Sequence, residues 1–195
     1  MRIPATIKTI LIAAGSAALT GCLVSEEPVL DATNGAATPL DAGVYESCSL
    51  ENGASEDMEC AMLDVSVDEM GLYQLIDEEA EETMEWRFHR VGRRAYAVQV
   101  GEGEDEGYAY YYARLRGERM QLTFMQCQSL PGSLRARLIK RGDLAADDDE
   151  FETCTVNTLR GLRKAAKAYH RGKAKDEEAM VMELTPAPAS VSAEE

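Results

Sequence analysis

From Met84 to Cys127 apolar and polar residues alternate along the chain, and this alternation constrains the fold more than any other feature. Met84, Trp86 and Phe88 fall on one face of an extended segment, while Glu85, Arg87 and His89 fall on the other. Gly92 turns the chain into residues 94–100, where Tyr96, Val98 and Val100 share a face. The stretch 101–107 leads to a run over 108–115, and Gly117 turns into residues 119–127. Alternating runs joined by short Gly-containing turns are expected to pair as antiparallel neighbours. Three earlier runs extend the series at 43–50, 60–67 and 72–76, the last ending in an acidic bend over 77–82.

The pattern then changes period. Pro131-Gly132-Ser133 opens a short helical stretch to about Arg141, and 151–156 reads as a strand that brings Cys154 beside the strand ending at Cys127. Over 158–171, Leu159, Leu162, Ala166 and Tyr169 recur at helical spacing. The expected fold is α+β: an antiparallel β-meander of about seven strands in a curved sheet, with one or two helices packed near the C-terminus. A closed, lipocalin-like β-barrel is the alternative, although the lipocalin motif is absent. One folded domain is expected over 42–172, which suits a chain of 195 residues. Residues 173–195 run from charged residues into Pro186-Ala187-Pro188-Ala189-Ser190 and read as a mostly disordered tail, with room for a short element at 180–184.

The first residues carry an address. Arg2 and Lys8 precede an apolar stretch over 9–19 that is too short to span a bilayer and has the form of an export signal. It ends in Leu19-Thr20-Gly21-Cys22, which resembles the lipobox of bacterial lipoproteins. The resemblance covers the first 22 residues only. It implies that 1–21 is a signal peptide removed by the lipoprotein processing and sorting machinery. It also implies acyl chains of palmitate type on the sulfur and the new amino group of Cys22, a durable membrane anchor. Leu23 rather than an aspartate follows, which by the family's sorting habit favours the outer membrane, facing the periplasm. Residues 22–41 mix Ala, Thr, Asn, Gly, Pro and acids without periodicity. They read as a flexible tether with a reach of about 25 Å.

Cysteine usage agrees with export. Besides Cys22 there are Cys48, Cys60, Cys127 and Cys154, an even set that reads as two disulfides with three possible pairings. Proximity in sequence favours Cys48–Cys60 and Cys127–Cys154. A zinc site lacks its spacing: there is no C-x-x-C, and His89 and His170 are far from every cysteine in sequence. No metal or cofactor is expected.

Charge is divided along the chain. The formal net charge of −15 leaves no basic surplus for phosphate neutralisation over a nucleic acid. From Cys22 to Trp86 there are 18 acidic residues and no Lys or Arg, whereas 87–175 holds 18 basic residues against 11 acidic ones. Either the halves neutralise one another across the surface, or the fold has an acidic pole and a basic face for an anionic partner such as a glycan or a lipid headgroup. Arg160, Arg163, Lys164, Lys167 and Arg171 crowd one helix, which helix-dipole stabilisation explains in part and an anionic surface contact would also explain. Arg87, Arg90, Arg93 and Arg94 surround the Gly92 turn as a solvated hairpin tip.

Tyr108, Tyr110 and Tyr112 share a strand face, and Tyr96 on the neighbouring strand is expected to join them. Such a stripe suits either cross-strand packing under a helix or the wall of a pocket for an amphipathic ligand. Acidic loops at Glu102, Glu104, Asp105 and Glu106 and at 147–150 lack the EF-hand order and read as solvated. G-x-S-x-G, the Walker loop, H-E-x-x-H and the dinucleotide fingerprint are missing, so no catalytic residues are assigned. The expectation is a lipid-anchored envelope protein with a binding or accessory role. A carrier of a small amphipathic ligand is the alternative, and a hydrolase of envelope polymer ranks below both.

Overall fold

A computed structural model describes residues 21–50, 59–101, 107–146, 153–174 and 181–188. The strands are β1 (Leu23–Ser25), β2 (Gly43–Leu50), β3 (Glu59–Val67), β4 (Leu72–Asp77), β5 (Glu82–Gly92), β6 (Ala95–Gly101), β7 (Tyr108–Arg116) and β8 (Arg119–Phe124). They are followed by helix α1 (Gly132–Lys140), strands β9 (Leu144–Ala146) and β10 (Cys154–Val156), helix α2 (Leu159–His170) and strand β11 (Val181–Pro186). Every expected hairpin from β2 to β8 is present. The sheet does not stay open: β6 pairs with β7, and β11 pairs antiparallel with both β2 and β8. The ring β2–β3–β4–β5–β6–β7–β8–β11 is a closed, eight-stranded antiparallel barrel, the alternative architecture rather than the open seven-stranded meander.

Closure corrects the reading of the C-terminal tail. Val181–Pro186 lies between the last strand of the meander and the first, and its Leu184 is fully buried among barrel residues. A barrel with this strand missing would expose the hydrogen-bonding edges of β2 and β8, which is the structural reason the segment is ordered.

The interior is filled by the alternating apolar face. Trp86, Phe88, Tyr73, Tyr96, Val98, Leu122 and Leu184 all belong to one buried cluster. Phe88 stands edge-on to Tyr73 and Tyr96, with ring centroids at 5.0 and 6.1 Å, and Trp86 tilts against it at 6.1 Å. These rings pack in the edge-to-face geometry that aromatic quadrupoles favour.

A second core lies outside the wall. Ala95 and Ala97 of β6 and Tyr110 and Tyr112 of β7 point away from the interior and are covered by Leu162, Ala165, Ala166 and Ala168 of α2. The small side chains on this helix face let α2 lie close to the sheet. Thr158 caps its N-terminus by accepting from Gly161 N at 3.1 Å. Strand β1 pairs antiparallel with the start of β7 and parallel with β10, and β10 pairs with β9, so a small three-stranded flap extends the wall beneath the helices.

The expected tether is also corrected. Leu23, Leu30 and Leu40 are buried, and the segment between them is held on the barrel surface. Gln99, itself 3% exposed, accepts from Val29 N and Leu30 N at 2.8 and 2.7 Å and donates to Leu30 O at 3.2 Å. His89 Nδ1 donates to Asn34 O at 2.6 Å. Tyr73 donates to Leu40 O at 2.8 Å, which seats Leu40 against the barrel interior. Apolar burial with satisfied backbone groups outweighs the freedom that the composition of 22–41 suggests.

Two disulfides have the pairing favoured by sequence proximity. Cys48–Cys60 bridges opposed residues of β2 and β3, and Cys127–Cys154 ties the chain after β8 to β10.

Candidate functional site

Outside the barrel, residues of α1 and α2 together line a groove. It consists of two hollows of about 210 and 280 Å³ that share Leu134, Arg137 and Lys164. Arg141 and Arg160 line one end, and Lys167, Arg171 and Lys173 line the other. Three of the five basic residues singled out on α2, namely Lys164, Lys167 and Arg171, therefore face a common hollow. The structure adds Arg137, Arg141 and Lys173. Arg163 is exposed on the same helix and does not line the groove.

Arg160 has a different task. Its Nε donates to both carboxylate oxygens of Asp143 at 2.9 and 3.0 Å, and a terminal nitrogen lies 2.8 Å from Oδ1. Asp143 is fully buried and also accepts from Thr158 Oγ1 at 2.7 Å. The Arg160 hydrogen bonds hold the Asp143 carboxyl below its ordinary range against the opposing effect of burial. This hub locks the start of α2 to the turn after α1, and so fixes the width of the groove. Gly161 completes the contact, since a Cβ there would sit 2.6 Å from Asp143 O. Among the described residues Asp143 is the only carboxylate lining the groove, and it is already neutralised.

Charge is partly mixed in the folded chain: Arg87 lies near enough to Asp31 to help lower its carboxyl, and both line one hollow with Glu85. The ion pairs among the described residues are Arg119–Glu183 and Arg160–Asp143, and neither uses an acid from the 22–86 stretch. Acids of β2–β5 and their turns, such as Glu46, Asp64, Glu69 and Glu78, are exposed. The arginines near the Gly92 turn serve local structure: Arg87 donates to Met70 O, Arg94 donates to Gly117 O, and Arg90 stands 6.0 Å from the Tyr96 ring centre.

The tyrosines are not brought together as expected. Tyr96 pairs with Ala113 in register, so it points into the barrel, while Tyr110 and Tyr112 point outward. Tyr110 shares a 2.6 Å hydrogen bond with Ser25, and Tyr112 shares one of 3.0 Å with His170 Nδ1 and stacks on Tyr169. Burial pushes the Tyr110 hydroxyl up to about 12. Tyr108 alone borders a hollow, of about 260 Å³, with Asp31, Glu85, Arg87 and Gln99.

Cys22 sits where β1 begins, packed with Ala109 and Phe124 and 3% exposed. Burial pushes its thiol up to about 12. Its carbonyl accepts from Cys154 N at 3.0 Å, it pairs with Gln126, and Leu23 N donates to Met125 O at 2.9 Å. Glu46 lies close to Cys48 and Cys60, but their sulfurs are bonded to each other and offer no thiolate for a metal. The apolar stretch 1–20, the acidic loop 102–106, the run 147–152 and Lys175 lie outside the described residues. No protein-family model, curated protein or solved structure matches this chain.

Proposed function

We propose that this chain is a lipoprotein of the bacterial cell envelope, anchored through Cys22, whose barrel presents the α1–α2 groove as a binding surface. The observation that carries the reading is Leu19-Thr20-Gly21-Cys22 behind a basic start and a short apolar run. Two disulfides in the folded part support an oxidising, exported location. The outer membrane, with the barrel facing the periplasm, is the favoured address because Leu23 follows the cysteine.

Acylation precedes docking of β1 in this scheme. A buried, protonated thiol packed with Ala109 and Phe124 is a poor nucleophile. In the mature chain the modified side chain leaves that contact while Leu23 keeps β1 in place. Because 23–41 is laid on the barrel, the anchored domain has no slack and rests against the bilayer. Binding is favoured over carriage, since the barrel interior is occupied by Trp86, Tyr73 and Phe88 and the tyrosine stripe is under α2.

The test is fractionation of cells expressing the full chain with Cys22→Ala. The substituted protein should leave the salt-resistant membrane fraction, and salt-resistant retention would overturn the anchor.

A further inference from the structure

We infer that the α1–α2 groove is a second membrane contact, a docking site for the phosphate-bearing headgroups of anionic lipids in the leaflet that carries the anchor. The inference deepens the proposal above and rests on anchoring through Cys22.

Three observations converge on it. The first is chemical. Arg137, Arg141, Lys164, Lys167, Arg171 and Lys173 line two adjoining hollows that share Arg137 and Lys164, with their only described carboxylate neighbour, Asp143, held by Arg160. Arginine forks and lysine ammonium groups are the donors that suit phosphate oxygens. Leu134 and Ala168 in the lining give the stems of those side chains an apolar floor.

The second is positional. Cys22 is paired with Gln126 and hydrogen-bonded to Cys154. The groove lining starts at Pro131 on the first path and Arg160 on the second, which are five and six residues further along. Those spans cannot exceed about 22 Å even when fully extended. The Cys127–Cys154 disulfide joins the two paths near their origin. The groove is thereby held within reach of the bilayer that carries the anchor.

The third concerns the whole charge distribution. A chain whose residues 22–195 hold 18 basic against 35 acidic residues, held without slack against an anionic bilayer, is repelled unless a cationic face is turned inward. The cations that α1, α2 and the turns after them bring to the groove supply that face. Acyl chains fix the distance, and the groove fixes the orientation.

The experiment uses the mature chain, residues 22–195, carrying Cys22→Ser, which removes both acylation and the apolar leader and leaves the groove to bind. Cosedimentation is measured with phosphatidylcholine vesicles with and without phosphatidylglycerol. Binding should require phosphatidylglycerol and weaken with salt. Each cation near an anionic surface is worth about fivefold in partition, so Arg137→Gln, Lys164→Gln and Lys167→Gln together should weaken it about a hundredfold. A control triple, Arg93→Gln, Arg114→Gln and Arg116→Gln, changes net charge equally on exposed residues outside the groove and should have little effect. Unchanged thermal unfolding of both triples is the folding check.

Equal loss in both triples would show unspecific attraction and overturn the inference, as would absence of phosphatidylglycerol-dependent binding. Saturable binding of inorganic pyrophosphate without vesicle binding would assign the groove to a soluble phosphate ligand and overturn it too. The two proposals fail separately. Salt-labile membrane association of Cys22→Ala belongs to the groove, and salt-resistant association contradicts the anchor.

Discussion

Removing the Cys127–Cys154 disulfide should cost more than removing Cys48–Cys60, and by an amount that loop length alone does not supply. The sequence separations are 27 and 12 residues. In the chain-entropy account, closing these loops constrains the unfolded chain by about 3.5 and about 2.8 kcal/mol. Burial widens the gap. Cys127 and Cys154 are each 1% exposed and pack with Leu23, Leu130 and Val156, whereas Cys60 is exposed at the barrel surface. Truncating each buried sulfur to a methyl group adds about 1 kcal/mol of lost packing. The double variant Cys127→Ala/Cys154→Ala should therefore lose about 5.5 kcal/mol, and Cys48→Ala/Cys60→Ala about 3 kcal/mol. Urea unfolding of the full chain, followed by near-ultraviolet dichroism and by fluorescence of Trp86, measures both. The first variant should also lose amide-exchange protection in α2 before the barrel opens, because that disulfide pins the helical layer to the wall. An equal or larger loss in the Cys48→Ala/Cys60→Ala protein would refute the reasoning.

Other consequences are as specific. Leu184→Ala should destabilise the chain by about 2–5 kcal/mol, because it empties a buried position in the closing strand; chemical unfolding reads this, and a loss below 1 kcal/mol would mean that β11 does not complete the core. Gly161→Ala should cost about 1–3 kcal/mol through the clash with Asp143 O, measured as a lower melting temperature. Arg160→Ala should reverse a pH dependence. In the wild type the carboxyl of Asp143 is held down, so its contribution is present above the unfolded value of 3.8 and is lost as pH falls through the folded value. Without Arg160, burial raises that carboxyl, and acidification should narrow the stability deficit of the variant; a deficit independent of pH would contradict the hub. Finally, the unacylated folded chain should resist alkylation at Cys22 in mildly alkaline buffer and react once unfolded, as followed by mass spectrometry.

What the sequence reveals and conceals follows from which forces are local. The hairpins from β2 to β8 were legible because each strand shows its own buried face through alternation, and α2 was legible because Leu162 and Ala166 recur with the helix period. The closing strand shows no such face. Of Val181–Pro186 only Leu184 is buried, and the rest of the segment is half-covered on a wall made by β2 and β8. Its order comes from two hydrogen-bonding edges that exist only after the barrel has nearly formed. The segment 22–41 is concealed for a related reason. Leu23, Leu30 and Leu40 are too far apart for any periodicity, and the partners that hold the latter two, Gln99 and Tyr73, belong to distant strands.

Tyrosine parity and the groove show the same limit from two sides. Alternation places Tyr108, Tyr110 and Tyr112 on one face with certainty, but joining Tyr96 to them requires the register between strands. That register sets Ala97, not Tyr96, opposite Tyr112, and the bulge between Arg90 and Gly92 on β5 shows how little of such pairing is written in one strand alone. The cations of α2 were visible as a run, yet a run does not distinguish a solvated face from a site. The distinction came from α1, whose Arg137 and Arg141 stand across the hollow, and from Asp143, which takes Arg160 out of service and fixes the two helices at a set spacing. A basic helix becomes a groove only when a second basic element is held against it, and here the buried carboxylate that overcomes their mutual repulsion comes from the turn between them.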